Sequence, residues 1–349
     1  MMATPSHVPQ DLLPPSLLPE MRIVLDRLAV EDAELDDPTR LPPAEGRALA
    51  ARSNARWNVD LPPLASARTL SVTRADGDAV PLRLLTPPDA APGLILYIHG
   101  GGWAFCSTAT HERAARLLAL AAGVAVATFD YRLAPEYPFP AGLDDCIALW
   151  RRIASGGLAD VPARWPLAIS GDSAGANLAL ALMLYELSHG RRVPDLGLLF
   201  YGVYGADFDT PSYRQCADGP GLTRAKMMRY WDWYAPPGTV LRSDPLVAPL
   251  CAGDEILVDL PPLYLNAAEA DPLRSDSEAL HARLRALGRS DPLRVHEGVV
   301  HGFMQMTTRL AAARTAIAEA GSAFRTITGA TNPNATNPNA KRMEETSDA

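Results

Sequence analysis

Lysine is almost missing from this chain of 349 residues: of its 32 basic residues only Lys226 and Lys341 are lysine. That bias reflects coding composition and carries no function. The basic residues are outnumbered by 40 acidic ones, for a net charge of −8, and form no basic stripe. A nucleic-acid surface is therefore not expected. Cysteine is sparse as well. Cys106, Cys146, Cys216 and Cys251 stand far apart without C-x-x-C spacing, which argues against metal ligation and a disulfide framework and for reduced thiols in a cytoplasmic protein. The N-terminal stretch MMATPSHVPQDLLPPSLLPE lacks a basic region and a continuous apolar run, so no signal peptide is expected. Long hydrophobic runs are absent too. Leu117 to Phe129 is interrupted at Gly123 and is too short to span a membrane.

What remains is an ordinary globular composition, 48% hydrophobic, long enough for two average domains or one large α/β domain with insertions. Residues 1–65 are proline-rich, with helical spacing at Leu18 to Leu28 and Pro43 to Trp57. Two short helices cannot form a core alone, so this segment is expected to lie across something else as part of a cap. From Thr69 onward the period changes. Thr69 to Arg74 and Val80 to Leu85 alternate about the turn Ala75-Asp76-Gly77-Asp78, a hairpin signature. Apolar runs at Gly93 to Ile98, Val124 to Asp130, Leu167 to Ile169, Leu196 to Tyr201, Pro262 to Ala267 and Leu293 to His296 then alternate with helical patterns. Those helices are predicted at His111 to Ala122, Ala141 to Ile153, behind Ser173, at Ser275 to Leu287 and at Thr308 to Arg325. Such alternation predicts a mostly parallel sheet with helices on both faces. The stretch 205–250 breaks the rhythm with an aromatic helix, Met227 to Tyr234, and is assigned to the cap as an insertion in the domain 66–327. The tail 328–349 contains Thr-Asn-Pro-Asn-Ala twice and is expected to be disordered.

The chain is organised around Pro166 to Met183, in which a short apolar run meets Gly171-Asp172-Ser173-Ala174-Gly175 and an Ala/Leu-rich helix follows at once. A strand, a sharp turn and a helix put the serine at the apex, and glycines on either side remove the collisions that a Cβ would cause. A serine nucleophile requires a base and a carboxylate to orient it. Of the seven histidines, His7 lies in the leader, while His111, His189 and His281 fall on helices and are expected at the surface. His99 opens a glycine run and is expected to brace that loop, and His296 lies inside the last strand. His301 follows that strand, at the carboxyl end where ligands collect in such sheets, and is the candidate base. Asp-Pro-Leu occurs at Asp244, Asp271 and Asp291. Asp271 follows a strand and emerges at the same sheet end, so it is the candidate acid, with Glu269 as a rival. The glycines after His99 supply close backbone approach, and the amides of Gly101, Gly102 and Ala174 are the candidate oxyanion donors.

The segments His99-Gly100-Gly101-Gly102-Trp103, Tyr131-Arg132-Leu133-Ala134-Pro135-Glu136, Gly171-Asp172-Ser173-Ala174-Gly175, Asp271-Pro272-Leu273 and His301-Gly302-Phe303 together resemble the hormone-sensitive lipase-like family, the bacterial family IV carboxylesterases. The resemblance covers roughly residues 74–324. It implies an α/β-hydrolase fold, with an eight-stranded sheet under a helical cap. It also implies hydrolysis of short to medium acyl esters without a metal or organic cofactor. Two positions depart from the pattern: Ala176 and Cys106 stand where members commonly carry glycine, which bears on the shape of the acyl pocket. Amide or lactone hydrolysis by the same triad, or ligand binding without catalysis, are the alternatives; intact His301 argues against the second. The partner is a small-molecule ester, and the sequence leaves open whether the chain acts alone or as a homodimer.

Overall fold

The computed structural model describes residues 15–158 and 161–330. His7 and the repeats of the tail lie outside the described residues.

Two helices, α1 (Pro19–Glu31) and α2 (Pro43–Asn54), precede the hairpin strands β1 (Ser66–Thr73) and β2 (Ala79–Thr86). Then come β3 (Leu94–Ile98), α3 (Thr108–Ala122), β4 (Ala125–Phe129), α4 (Ala141–Ala154), β5 (Leu167–Asp172), α5 (Ala174–Ser188) and β6 (Leu196–Phe200). Two helices of the insertion, α6 (Pro211–Gln215) and α7 (Arg224–Tyr234), lead through the single turn α8 (Asp254–Leu257) to β7 (Leu263–Ala270), α9 (Arg274–Ala286), β8 (Leu293–Val300) and α10 (Ala311–Thr328). The strands form one eight-stranded sheet in the order β1-β2-β4-β3-β5-β6-β7-β8. Only the pairings of β2 with β1 and β4 are antiparallel; from β4 to β8 all are parallel.

Every residue of β3, β4, β5 and β6 is buried, because helices cover both faces and neither side chain of the alternation meets water. Leu94, Leu96 and Ile98 pack on one face with α4 and α5; Ile95 and Tyr97 pack on the other with α3 and α10. Helix α5 is apolar all round and twelve of its fifteen residues are buried, as befits a helix in the middle of the molecule. The insertion leaves and returns at one point, where the Leu250 N–H donates to the Tyr204 carbonyl at 2.8 Å.

Several boundaries differ from the sequence expectation, among them three at the C-terminal end. Strand β8 does not stop at His296 but runs to Val300; Gly298, at φ 63°, interrupts the apolar pattern, and the β7–β8 register shifts there. Helix α10 starts at Ala311 instead of Thr308, its first free N–H bonded to the Glu20 carboxylate of α1 at 3.0 Å. It ends at Thr328, one residue inside the stretch assigned to the tail.

Candidate active site

Four parallel strands deliver the site, each by the residue directly after its last one. His99 follows β3, Ser173 follows β5, Asp271 follows β7 and His301 follows β8. Because these strands run the same way, all four residues emerge on one rim of the sheet.

Ser173 sits at φ 55°, ψ −120°, a strained conformation for a residue with a Cβ. The turn that imposes it is held by the Ser173 N–H on the Phe200 carbonyl at 2.9 Å. It also depends on Gly175, where a Cβ would lie 2.1 Å from the Ile98 carbonyl oxygen. The backbones of β3 and α5 touch there, and no side chain fits between them. The Ser173 hydroxyl lies 3.0 Å from Nε2 of His301, whose Nδ1 lies 2.7 Å from Oδ2 of Asp271. A carboxylate only accepts, so Nδ1 carries the proton and Nε2 presents its lone pair to the hydroxyl. Asp271 is fully buried, and its second oxygen accepts the Leu273 N–H at 2.8 Å. Tyr201 meets the His301 ring edge-on at 4.8 Å.

The other carboxylates do different work. Glu269 accepts the Gly298 N–H at 2.7 Å, and Asp291 accepts the Leu263 N–H at 2.7 Å at the opposite end of the sheet. Asp244 accepts the Leu246 N–H within the insertion.

Beside the serine, the glycine loop turns sharply through Gly101 (φ 112°) and Gly102 (φ 59°). The Phe105 N–H closes it on the Gly101 carbonyl at 2.9 Å. Among the described residues no protein acceptor takes the N–H of Gly101 or Gly102, and Ala174 opens α5 with its N–H unused by the helix. Asp172 joins loop to turn. One of its oxygens accepts both the Gly100 N–H at 2.8 Å and the Tyr97 hydroxyl at 2.6 Å. Burial pushes this carboxyl up, but His111 beside it and these hydrogen bonds hold it below the usual carboxylate range. Trp103 donates to Asn177 on α5 at 3.3 Å, and Asn177 in turn donates to the carbonyls of Val203 and Val247 at 2.9 Å. Cys106 adopts φ 70°, the left-handed conformation that explains why glycine suits this position. Burial raises its thiol to about 12.

His99 braces the loop. Its Nδ1 lies 2.9 Å from the Gly100 carbonyl, so it is the protonated nitrogen, and the ring stacks on Tyr131 at 4.5 Å. Burial, reinforced by the neighbouring His111, lowers its pKa to about 4. His111 corrects the expectation of a surface residue: it is buried, with Nε2 3.4 Å from Asp172 and in contact with the Gln305 amide. The signal was present in Ala114, Ala115 and Leu118, which share its helical face and are buried with it. Sequence reading also missed Asp276, whose carboxylate accepts the N–H groups of Tyr204 and Gly205 at 2.8 Å. Burial raises its pKa to about 7. Ser212 of α6 likewise went unnoticed, though its hydroxyl bonds the Pro272 carbonyl next to Asp271.

Among the described residues, no group of three or more His, Cys, Asp or Glu side chains could hold a metal ion, and no helix is long and apolar enough to cross a membrane.

The sheet order and the hydroxyl at its rim define an α/β-hydrolase. The family model of that fold matches residues 95–305. The chain belongs to the hormone-sensitive lipase-like branch, the bacterial family IV esterases, and hydrolyses carboxylic esters. It is similar to a carboxylesterase, NlhH, of Mycobacterium tuberculosis, at 35% identity over 67% of this chain and 74% of that one. It also resembles the ethyl acetate hydrolase of Pseudomonas putida, at 34% identity over 68% and 75%. Among solved structures, an ester hydrolase from the metagenome of Lake Arreo, complexed with a bipyridine phosphonate derivative, superposes with a TM-score of 0.83. That match has 31% identity and covers 90% of this chain and 99% of that one.

Proposed function

We propose that Ser173, His301 and Asp271 are the catalytic triad of this esterase, and that it acts on short to medium acyl esters. The observation that carries the reading is His301 bridging the two others, at 3.0 Å from Ser173 Oγ and 2.7 Å from Asp271. Ser173 Oγ forms a bond to the ester carbonyl carbon as its proton passes to Nε2 of His301, and the carbonyl electron pair moves onto oxygen. The oxyanion rests on the N–H groups of Gly101, Gly102 and Ala174, each worth on the order of 3 kcal/mol in such sites. Collapse expels the alcohol, which takes the proton from Nε2. Water, deprotonated by the same nitrogen, then attacks the acyl carbon and releases the acid, restoring Ser173. Asp271 keeps the imidazole in the required tautomer throughout.

Of the N-terminal segment 1–65, the described residues 15–65 form the cap with residues 205–250 in this reading. The Arg229 guanidinium of the insertion reaching Thr39 of the N-terminal segment at 2.8 Å supports a single covering layer. The enclosed setting of Ser173, which is only 7% exposed, supports the short to medium acyl range. Four free thiols support a cytoplasmic location. Ser173→Ala should abolish turnover of p-nitrophenyl butyrate, a fall of about 10^6-fold in kcat, with an unchanged circular dichroism spectrum. Retained turnover would move the nucleophile elsewhere.

A further inference from the structure

A cleft beside the glycine loop does not have Ser173 in its lining. This cleft, of about 500 Å3, lies between the N-terminal segment and the loop, within the size range of small-molecule sites. Leu35 and Leu49 line it from the N-terminal side, Phe105 and Tyr230 from the other, and Gly101 forms part of its wall. Neither Ser173 nor His301 lines it.

Tyr230 both lines this cleft and lies against the glycine loop. It projects from α7 onto the loop so closely that a Cβ on Gly102 would lie 2.6 Å from Cγ of its ring. The ring is kept there by Phe105, edge-on at 5.9 Å, and by Trp233 at 6.1 Å. Gly102 has no side chain of its own to obstruct passage, so the obstruction beside its amide is the Tyr230 ring.

We propose that Tyr230 is a specificity-determining residue: its ring is the wall that closes the site over Ser173 off from the cleft and so limits the ester chain that fits. The inference rests on Ser173 being the nucleophile. An ester whose carbonyl oxygen sits on the Gly101 and Gly102 amides has one of its two arms directed along the loop toward Tyr230. A short arm ends before the ring, whereas a long one meets it. Removing the ring opens the Gly102 amide toward the cleft, where a long arm meets Leu35, 43% exposed on its wall, and gains by burying apolar surface.

The test compares kcat/KM over two series, p-nitrophenyl esters from acetate to dodecanoate and acetate esters of alcohols from methanol to decanol. Tyr230→Ala should raise the ratio of long-chain to short-chain kcat/KM at least tenfold in one series, while Tyr230→Phe keeps the parent ratio. Loosening of the glycine loop would instead slow all esters alike and leave the ratio unmoved. Should the alanine variant fail to fold, Tyr230→Val, which also removes the ring from Gly102, reads the same ratio. The proposal is overturned if a folded variant, still labelled at Ser173 by a fluorophosphonate, shows the parent chain-length profile in both series. It is equally overturned if Tyr230→Phe shifts the profile as much as Tyr230→Ala. Failure of the nucleophile assignment has a separate signature, turnover surviving in Ser173→Ala.

Discussion

Helix α5, behind the serine, and helix α2, across the glycine loop, are of similar length but held by different forces. In α5 twelve of fifteen residues are buried and the helix is apolar on every side. In α2 the buried residues are Gly46 and Leu49 alone. What fixes α2 is Arg47, which donates to the Ala104 carbonyl at 2.8 Å, to the Ala134 carbonyl at 2.9 Å and to Glu136 at 2.9 Å. The same contrast runs through the molecule. The rim of the sheet is set by close-packed apolar strands, so the serine, histidine and aspartate are placed with little freedom. The N-terminal segment is tied down by arginine bridges, Arg229 to Thr39 and Arg309 to Glu31 and the Trp57 ring. Substitutions on the rim should therefore change rate, and substitutions in the covering segments should change stability or selectivity.

The largest effect expected from this contrast is at Asp271. Asp271→Asn preserves shape but offers Nδ1 of His301 a group that no longer enforces the right tautomer, and kcat should fall about 10^4-fold. Melting temperature should change by only a few degrees; a proportionate loss of stability would mean that the rim residue serves folding instead.

Next in size is a pair of opposed pH dependences. His99 stays neutral in the folded protein down to about pH 4, whereas in the unfolded chain it takes up a proton below about 6.5. Its contribution to stability is complete above pH 6.5 and is lost as the pH falls to about 4, on the order of 3 kcal/mol. Asp276 acts in the opposite sense. Its folded pKa is raised to about 7, above that of the unfolded chain, so its burial is least favourable above pH 7 and is relieved as the pH falls. Urea unfolding between pH 7.5 and 4.5 should show His99→Asn tilting the stability curve toward acid and Asp276→Asn tilting it away. Parallel curves for both variants would remove the account of the two buried groups.

The smallest effect is at Arg47. Its partner Glu136 is 44% exposed, so the ion pair itself contributes little, and the two carbonyl bonds set the loss at about 1–2 kcal/mol. Arg47→Ala should lower the melting temperature by a few degrees and leave turnover of p-nitrophenyl acetate within about twofold. A rate loss as large as that of Asp271→Asn would erase the distinction between rim and covering segments.

Most of the rim was legible in the sequence, because the determinants are local. Apolar runs mark the strands, and residues a few positions beyond those runs, Ser173, Asp271 and His301, meet on one side simply because parallel strands end together. The glycines at 171 and 175 carry the turn in their spacing. What was not legible depends on partners far apart in the chain. Asp276 is an ordinary helix residue until Tyr204 and Gly205 come to rest on it. Ser212 gains its role only from Pro272, 60 residues away. Arg47 has three acceptors, 57 to 89 residues distant, and no periodicity announces such a reach. His111 is different, since its buried face was readable and a helical histidine was simply assigned to water.

The central claim is that one serine, activated by one histidine, carries the reaction at the sheet rim. Reaction of the intact protein with a fluorophosphonate, followed by peptide mass mapping, tests it most directly. One label per chain on Ser173, lost in His301→Ala, is the predicted result; a label on another residue, or undiminished labelling without His301, would contradict it.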